Sequence, residues 1–133
     1  MLNRVELIGR LGRDPEVRHT QAGDKVVTLN LATSEIWKDR QSGERRERTE
    51  WHRVVIFAAP LADFAERSLR KGLMVFVEGQ LQTRKWQDQS GQDHYATEVV
   101  LNPFKSQLLL LDRSPGPGGN APPPADADDD IPY

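Results

Sequence analysis

The chain has 133 residues, of which 37% are apolar and 29% are charged, so it offers one domain and a tail rather than several domains. It contains no cysteine, which excludes disulfides, thiolate zinc sites and cysteine nucleophiles. The formal net charge is −2, but residues 114–133 carry four Asp and no Lys or Arg, which leaves residues 1–113 with 18 basic and 16 acidic side chains. A mildly basic body is therefore joined to an acidic end.

The first segment, NRVELIGRLGRDPEV (3–17), predicts a strongly curved strand, because Gly9 and Gly12 suit bends or bulges. The N-terminus is charged from its fourth residue, and no part of the chain approaches a run of about 18 apolar residues. We therefore expect neither a signal peptide nor a membrane span, and the cytoplasm is the expected compartment.

Four more segments predict strands by alternation or by β-branched and aromatic content, namely 26–33, 50–57, 73–81 and 95–101. One helix is predicted over 60–72, where apolar residues recur at helical spacing, Pro60 suits the first turn and Gly72 suits the C-terminal cap. Three strands, a helix and two strands are the order of the OB-fold, a five-stranded Greek-key barrel in the all-β class. Another α+β domain of this size is the alternative.

The composition changes sharply after the last apolar run. Nearly every residue from 114 to 125 is Pro, Gly, Ala, Ser or Asn, so we predict a domain over 1–111, a disordered linker over 112–125 and an acidic tip over 126–133. The tip could compete with a polyanion for the basic body, dock into a partner through its apolar end and terminal carboxylate, or serve as a solubilising tail. The candidate partner-binding residues are Asp128, Asp129, Asp130, Ile131, Pro132 and Tyr133.

The sequence shows no motif that calls for catalysis. His19, His52 and His94 are isolated and none has a metal-binding spacing. There is no P-loop, no GxGxxG and no nucleophile elbow. We expect no cofactor, no metal and no enzymatic activity, although a site assembled from distant residues stays open.

The segment EWHRVVIF (50–57) carries the best candidate for a binding surface. Alternation along a strand places Trp51, Arg53 and Phe57 on one face and His52 on the other. Flat rings accept any stacked base, and a guanidinium contributes a phosphate or cation–π contact. The alternative is that Trp51 and Phe57 face the core.

The other two tryptophans also lie beside basic residues. Trp37 precedes Lys38 at the mouth of a charged loop, and Trp86 follows Arg84 and Lys85 in a long hairpin. Rings interleaved with cations are typical of single-strand nucleic-acid channels, whereas a duplex hides its base faces. This pattern does not discriminate DNA from RNA.

Three stretches carry a family resemblance: SEIWKDRQSGERRERTEWHRVVIF (34–57), LRKGLMVFVEGQLQTRKWQDQSGQDHYATEVVL (69–101) and the terminal DDDIPY. They closely resemble bacterial single-stranded DNA-binding proteins, which are OB-fold proteins of replication, recombination and repair, over about residues 3–111 and the last few. The resemblance implies a nucleoid-associated homotetramer that binds single-stranded DNA without sequence preference. It also implies that the tip recruits genome-maintenance proteins.

The resemblance also implies roles for individual residues. The implied base-stacking residues are Trp37, Trp51, Phe57 and Trp86, and the implied backbone-binding residues are Lys38, Arg53, Lys71, Arg84 and Lys85. Subunits of the family pair through the first strand, which points to Val5 and Leu7, and His52 falls near the contact between dimers; it could instead be an ordinary half-buried strand residue.

The chain departs from the family in its terminal Tyr133 where Phe is usual, its short linker, and an extra residue around 58–60. An RNA or cold-shock-type binder, a protein-interaction module with core aromatics and an enzyme acting on nucleic acid are the alternatives.

Overall fold

The computed structural model describes residues 1–112. In chain order the elements are strands β1 (Val5–Leu11), β2 (Glu16–His19), β3 (Lys25–Lys38) and β4 (Arg45–Ile56), helix α1 (Ala59–Ser68), and strands β5 (Met74–Gln87), β6 (Asp93–Leu101) and β7 (Gln107–Leu110). The predicted tip (126–133), and all but the first residue of the predicted linker (112–125), lie outside the described residues.

Five strands close into a barrel. They follow the order β1-β3-β4-β6-β5, and pairing of β5 with β1 closes the ring. The pair β4–β6 is parallel and the other pairs of the ring are antiparallel. The predicted OB-fold is confirmed. The sequence pattern missed β2 and β7, four-residue strands that flank the ring on β3 and β5.

The first strand bends because it has to serve two partners. Residues from Val5 to Arg10 pair with β5, whereas Arg10 and Leu11 pair with β3. At the bend, a Cβ on Gly9 would lie 2.3 Å from the carbonyl oxygen of Ala32. Only glycine permits this approach of two backbones, so the curvature predicted from the glycines is confirmed.

Alternation along the strands fills the barrel with aliphatic side chains. The fully buried ones are Val27, Leu29, Leu31, Val54, Ile56, Val75, Val77 and Leu101. Helix α1 covers the core with Ala62 and Ala65, and Leu69 completes that cover just after the helix. Inward positions are thus occupied by residues without polar atoms, and every second residue of each strand is free to face outward.

The helix ends earlier than the sequence predicts. It stops at Ser68 with Leu69 as its C-terminal cap, and Arg70 donates hydrogen bonds to the carbonyls of Glu66 and Leu69. Gly72 (φ 93°) lies instead in the next turn, where the Leu73 N–H donates to the Arg70 carbonyl at 3.2 Å. The positive φ that favours glycine is therefore used by a turn and not by the helix cap, so the predicted end at residue 72 is wrong.

Two long hairpins extend beyond the barrel. The β3–β4 ladder runs out to Lys38 and Arg45, and the β5–β6 ladder runs out to Gln87 and Asp93. We call them the β3–β4 arm (33–50) and the β5–β6 arm (82–97). The predicted strands were too short there, because both faces of each arm are exposed and the apolar alternation that marks a strand disappears.

We expect Gly9→Ala to lower the free energy of unfolding by about 1–3 kcal/mol, since its methyl group would press on backbone that cannot move away. Urea denaturation measures this loss. Gly12→Ala is the matched control, because its methyl would meet an exposed side chain, the ring of Trp51. Equal denaturation midpoints for the two variants would show that the bend does not depend on Gly9.

Candidate nucleic-acid interface

The outward face of β4, which Phe57 continues just beyond the strand, carries the predicted binding surface. Trp51 and Phe57 are 63% and 44% exposed, and Arg53 lies between them. Val54 and Ile56 occupy the inward positions and are fully buried. The alternative that Trp51 and Phe57 face the core is therefore wrong, because the aliphatic residues between them already fill it.

Parallel pairing of β4 with β6 places the two arms next to each other. Val54 lies opposite Val99, and both arms leave the barrel in the same direction from this point. Across the β5–β6 arm, Arg84 pairs with Ala96 and Trp86 pairs with His94, all on the outward face. Trp51, Arg53, Arg84 and Trp86 therefore share one surface, although they lie on two hairpins.

A buried carboxylate joins the two hairpins. Glu98 is only 6% exposed, and it accepts hydrogen bonds from Arg53 Nε at 2.6 Å and from Arg84 Nη2 at 3.2 Å. Burial acts to raise the pKa of Glu98, but hydrogen bonds and charge from Arg84 and Arg53 outweigh it and lower the pKa below 4.5. One anion thus holds two cations in place and leaves a positive excess at the surface.

Sequence reasoning missed Glu98. It occurs in the run TEVVL, where the apolar residues attract attention. The signal was a carboxylate directly before the apolar run of a strand, on the face opposite Val99. A carboxylate that becomes buried at such a position needs a cationic partner.

An open groove follows the outward face from β2 to β5. Thr28 and Val55 are buried at its floor, and Phe57 lies along it. The groove is lined by Arg18, His19, Thr20, Val26, Thr28, Arg53, Val55, Phe57, Gln82, Arg84 and Glu98. Apolar side chains, arginines and an aromatic ring along one groove can accept a chain that carries flat rings and negative charges.

The indole of Trp51 rests on a glycine. A Cβ on Gly12 would lie 2.3 Å from Cζ3 of Trp51. Because Gly12 has no side chain, the indole packs directly against the backbone, while most of the surface of Trp51 stays exposed. The sequence suggested only a bend at Gly12, so this second role is a finding of the tertiary structure.

The ring of Trp86 is stacked on an imidazole. Its centroid lies 4.6 Å from that of His94, with 22° between the planes. His94 Nε2 lies 2.7 Å from Asp88 Oδ2. In the sequence His94 is an isolated histidine. Its pairing with Trp86 depends on the register of the hairpin, which the sequence does not show.

The structure does not bring every predicted residue to this surface. Trp37 pairs with Arg46 on the opposite face of the β3–β4 arm, since it has the parity of buried Leu31. Lys85 lies on the opposite face of the β5–β6 arm, where its Nζ is 3.2 Å from Asp93.

Two further lysines lie away from the groove centre. Lys38 is exposed where the β3–β4 arm ends, and Lys71 is exposed in the turn after α1, with its backbone N–H bonded to Asp14.

The residues implied in assembly have mixed placements. Val5 and Leu7 are half-buried and pack against the core, so their side chains are not the outward ones of β1. His52 is half-buried on the face opposite Trp51, and its Nε2 lies 2.8 Å from Thr33 Oγ1. Their role in assembly stays a prediction.

Two general features complete the description of residues 1–112. No group of three or more His, Asp or Glu side chains within that range is arranged to hold a metal ion. Helix α1 is too short to cross a bilayer, and the same range holds no longer apolar helix.

The closed ring and its two outward arms define an OB-fold domain with an aromatic and arginine-lined groove. Residues 2–108 match the single-strand binding protein family. The chain belongs to this family, and the predicted resemblance is confirmed.

Named relatives agree with this assignment. A single-stranded DNA-binding protein of Rhizobium meliloti is 56% identical over 120 residues, which cover 90% of this chain and 69% of the relative. One from Rickettsia typhi is 60% identical over 111 residues, covering 84% of this chain and 73% of the relative. The solved Plasmodium falciparum SSB complex with single-stranded DNA superposes with a TM-score of 0.78 at 42% identity, covering 84% of this chain and 97% of that one.

We expect Glu98→Gln to lower the free energy of unfolding near neutral pH by about 1–2 kcal/mol, because charge-assisted bonds are lost but both arginines are about half exposed. The lowered pKa means that this contribution is complete above 4.5 and is lost as the pH falls through the folded value. Urea titrations of both proteins between about pH 7 and pH 3 measure the difference. A difference that did not shrink in acid would contradict the role of the ionised carboxylate.

Proposed function

We propose that this chain binds single-stranded DNA without sequence preference along the outward groove and its two arms, as a binding protein and not as an enzyme. The observation that carries the proposal is the exposure of Trp51 and Trp86 on one surface, each two residues along its strand from an arginine of the Arg53–Glu98–Arg84 cluster. The Plasmodium falciparum relative, solved with single-stranded DNA, supports it.

The chemistry of the groove suits a strand of any sequence. Every base has a flat face that can stack on an indole, and each such stack contributes about 1–3 kcal/mol. The arginine N–H groups that Glu98 does not occupy are available to phosphates. Each neutralised phosphate releases counterions, so affinity falls as salt rises. A duplex would present phosphates but no base faces.

Residues on the opposite faces of the arms extend the proposed path. Trp37 with Arg46, and Lys85 near exposed Tyr95, give each arm a second surface with a ring and a cation. We place the strand around the arms so that it meets Trp51 and Trp86 on one side and Trp37 on the other. Phe57, Lys38 and Lys71 are the remaining proposed contacts.

Binding of a thymidine homopolymer should strongly quench tryptophan emission, because the proposed stacking rings are the fluorophores. Trp51→Ala and Trp86→Ala should each weaken binding about tenfold, which is the loss of one stack. Fluorescence titrations at two salt concentrations measure both effects, with urea midpoints to confirm that each variant is folded.

Absence of quenching together with absence of a salt effect would refute the proposal. The same titration with a uridine homopolymer tests the RNA alternative. Equal affinity for the two polymers would favour a general single-strand binder over a DNA binder.

We also propose that the chain forms homotetramers. Ile8, Phe76 and Leu109 lie in register across β1, β5 and β7 and form an apolar row on the outward side, away from the groove. Among residues 1–112, no strand pairs with the edge of β1 between Val5 and Gly9 that faces away from β5.

One pairing edge and one apolar face per subunit are enough to build a dimer and then a dimer of dimers. In this arrangement Val5 and Leu7 contribute backbone to the first contact. We propose that His52 lies near a contact between dimers, as the family resemblance implies.

We expect Ile8→Glu to reduce the sedimentation mass of the assembly, because a carboxylate in the apolar row would be buried without a partner. Ile36→Glu is the control, since Ile36 on the β3–β4 arm is 48% exposed, close to the 51% of Ile8. An Ile8→Glu protein with the same mass as the unaltered chain would exclude this face from the contact.

We propose that the tip, residues 126–133, recruits replication, recombination and repair proteins. Its aspartates precede Ile131, Pro132 and Tyr133 at the chain end, a combination suited to an apolar pocket with a basic rim. A purely solubilising tail would need no apolar end. Binding to the chromosome and its maintenance proteins places the chain in the cytoplasm, at the nucleoid.

A chain truncated after Asp130 should lose capture of these proteins from extracts, while its DNA affinity stays equal because the aspartates that carry the charge of the tip are retained. Affinity capture and the homopolymer titration measure the two properties separately. A fall in DNA affinity would show that the tip belongs to the DNA-binding surface and would overturn this account.

A further inference from the structure

His94 covers one face of a proposed DNA-binding tryptophan. It lies directly opposite Trp86 in the β5–β6 ladder, and the two rings are nearly parallel at 4.6 Å. Trp86 is still 42% exposed. The imidazole therefore restricts the indole without removing it from solvent, and the stack limits the rotamers that Trp86 can adopt in the free protein.

His94 is itself held by a carboxylate whose position does not depend on it. Asp88 accepts hydrogen bonds from the Ser90 hydroxyl at 2.7 Å and from the backbone N–H groups of Ser90 at 2.9 Å and Gln92 at 3.0 Å. The Ser90 hydroxyl, followed by His94 and the Gln92 N–H, lowers the pKa of Asp88 to about 2. Asp88 is thus a fixed anion at the end of the arm, and His94 Nε2 lies 2.7 Å from it.

The other charged groups near His94 on the β5–β6 arm are engaged elsewhere. On the same face, Arg84 and Glu98 bind each other. On the opposite face of the arm, Lys85 pairs with Asp93.

The outward face of β4 contributes Arg53, which is bound to Glu98, and farther along the β3–β4 arm Glu47 and Arg45. Asp88 is the charged side chain in direct hydrogen-bond contact with His94.

We propose that His94 is a positioning residue for Trp86, and that its protonation, between the indole and the Asp88 carboxylate, strengthens binding of single-stranded DNA. The inference rests on the function proposed above. An imidazolium is attracted to the face of an indole and to a carboxylate, so it holds the ring more firmly than neutral imidazole does. It also offsets the negative charge of Asp88 beside the path of the phosphates.

The direction of the pH effect follows from linkage. DNA binds the cationic form better, so binding takes up protons and affinity should be higher at about pH 6 than at about pH 8. A gain of about two- to fivefold corresponds to an exposed cation–π contact.

Two variants separate charge from stacking. His94→Arg keeps a permanent cation that can stack on Trp86 and bond to Asp88, so its DNA affinity should be high and independent of pH over this range. His94→Phe keeps a stacked ring without charge, so its DNA affinity should equal that of the unaltered chain at about pH 8 and should not change with pH. His19→Gln tests the histidine that lines the groove without contacting Trp86; loss of the pH dependence in this variant would assign the effect to His19 and overturn the inference.

Homopolymer titrations at about pH 6 and pH 8 give these affinities, and tryptophan emission of the DNA-free proteins gives an independent readout. Emission of the unaltered chain should fall on acidification as the imidazolium quenches Trp86, and it should stay constant in both His94 variants. A pH dependence that persists in His94→Phe, in either measurement, overturns the inference. Failure of the unaltered chain to bind DNA overturns the proposed function, whereas the emission of the DNA-free protein tests the effect of His94 on Trp86 independently of DNA binding.

Discussion

Three residue pairs between β4 and β6 decide the arrangement of the whole outward surface. Val54, Val55 and Ile56 run parallel to Val99, Val100 and Leu101. Because this is the parallel pair of the barrel, the two hairpins that contain β4 and β6 leave it in the same direction. An antiparallel contact would have sent the arms to opposite ends and separated Trp51 from Trp86. The groove, the Arg53–Glu98–Arg84 cluster and the shared aromatic surface all depend on this short contact.

The two faces of the strands differ in role, since one forms the core and the other carries the proposed binding surface. Within the barrel, the inward residues Val27, Leu29, Leu31, Val54 and Ile56 are aliphatic and fully buried, which provides hydrophobic stabilisation. Outward positions carry rings that remain exposed, and burial therefore does not hold them in place. Local supports replace it: Gly12 seats Trp51, His94 stacks on Trp86, and Glu98 fixes two arginines. Such support limits the side-chain entropy that a bound strand would otherwise have to remove.

Sequence reasoning succeeded where a local pattern reports a local environment. Alternation identified the outward face of β4 with Trp51, Arg53 and Phe57, and Gly9 marked the bend in β1. It failed on the C-terminal end of the helix and on the arms. Gly72 lies in the turn after the helix, and this turn depends on the direction that the chain takes into the next strand. The arms lose apolar alternation because both of their faces are exposed. Trp37 was predicted with the other rings but lies on the opposite face of the arm. Its face could not be assigned from the sequence, because the apolar alternation ends before the strand does.

By itself the sequence determined the fold class, the family and the residue types of the proposed nucleic-acid interface, because strand alternation, helix spacing and neighbouring ring–cation pairs act over a few residues. Tertiary structure alone decided which of these residues meet. Glu98 lies 45 positions from Arg53 and 14 from Arg84 along the chain. Arg84 reaches it across the β5–β6 hairpin, whereas the bond from Arg53 exists only after the parallel pair has formed. The stack of Trp86 on His94 likewise follows from the register of one hairpin. Long-range pairing is a property of the closed barrel, and no local pattern encodes it.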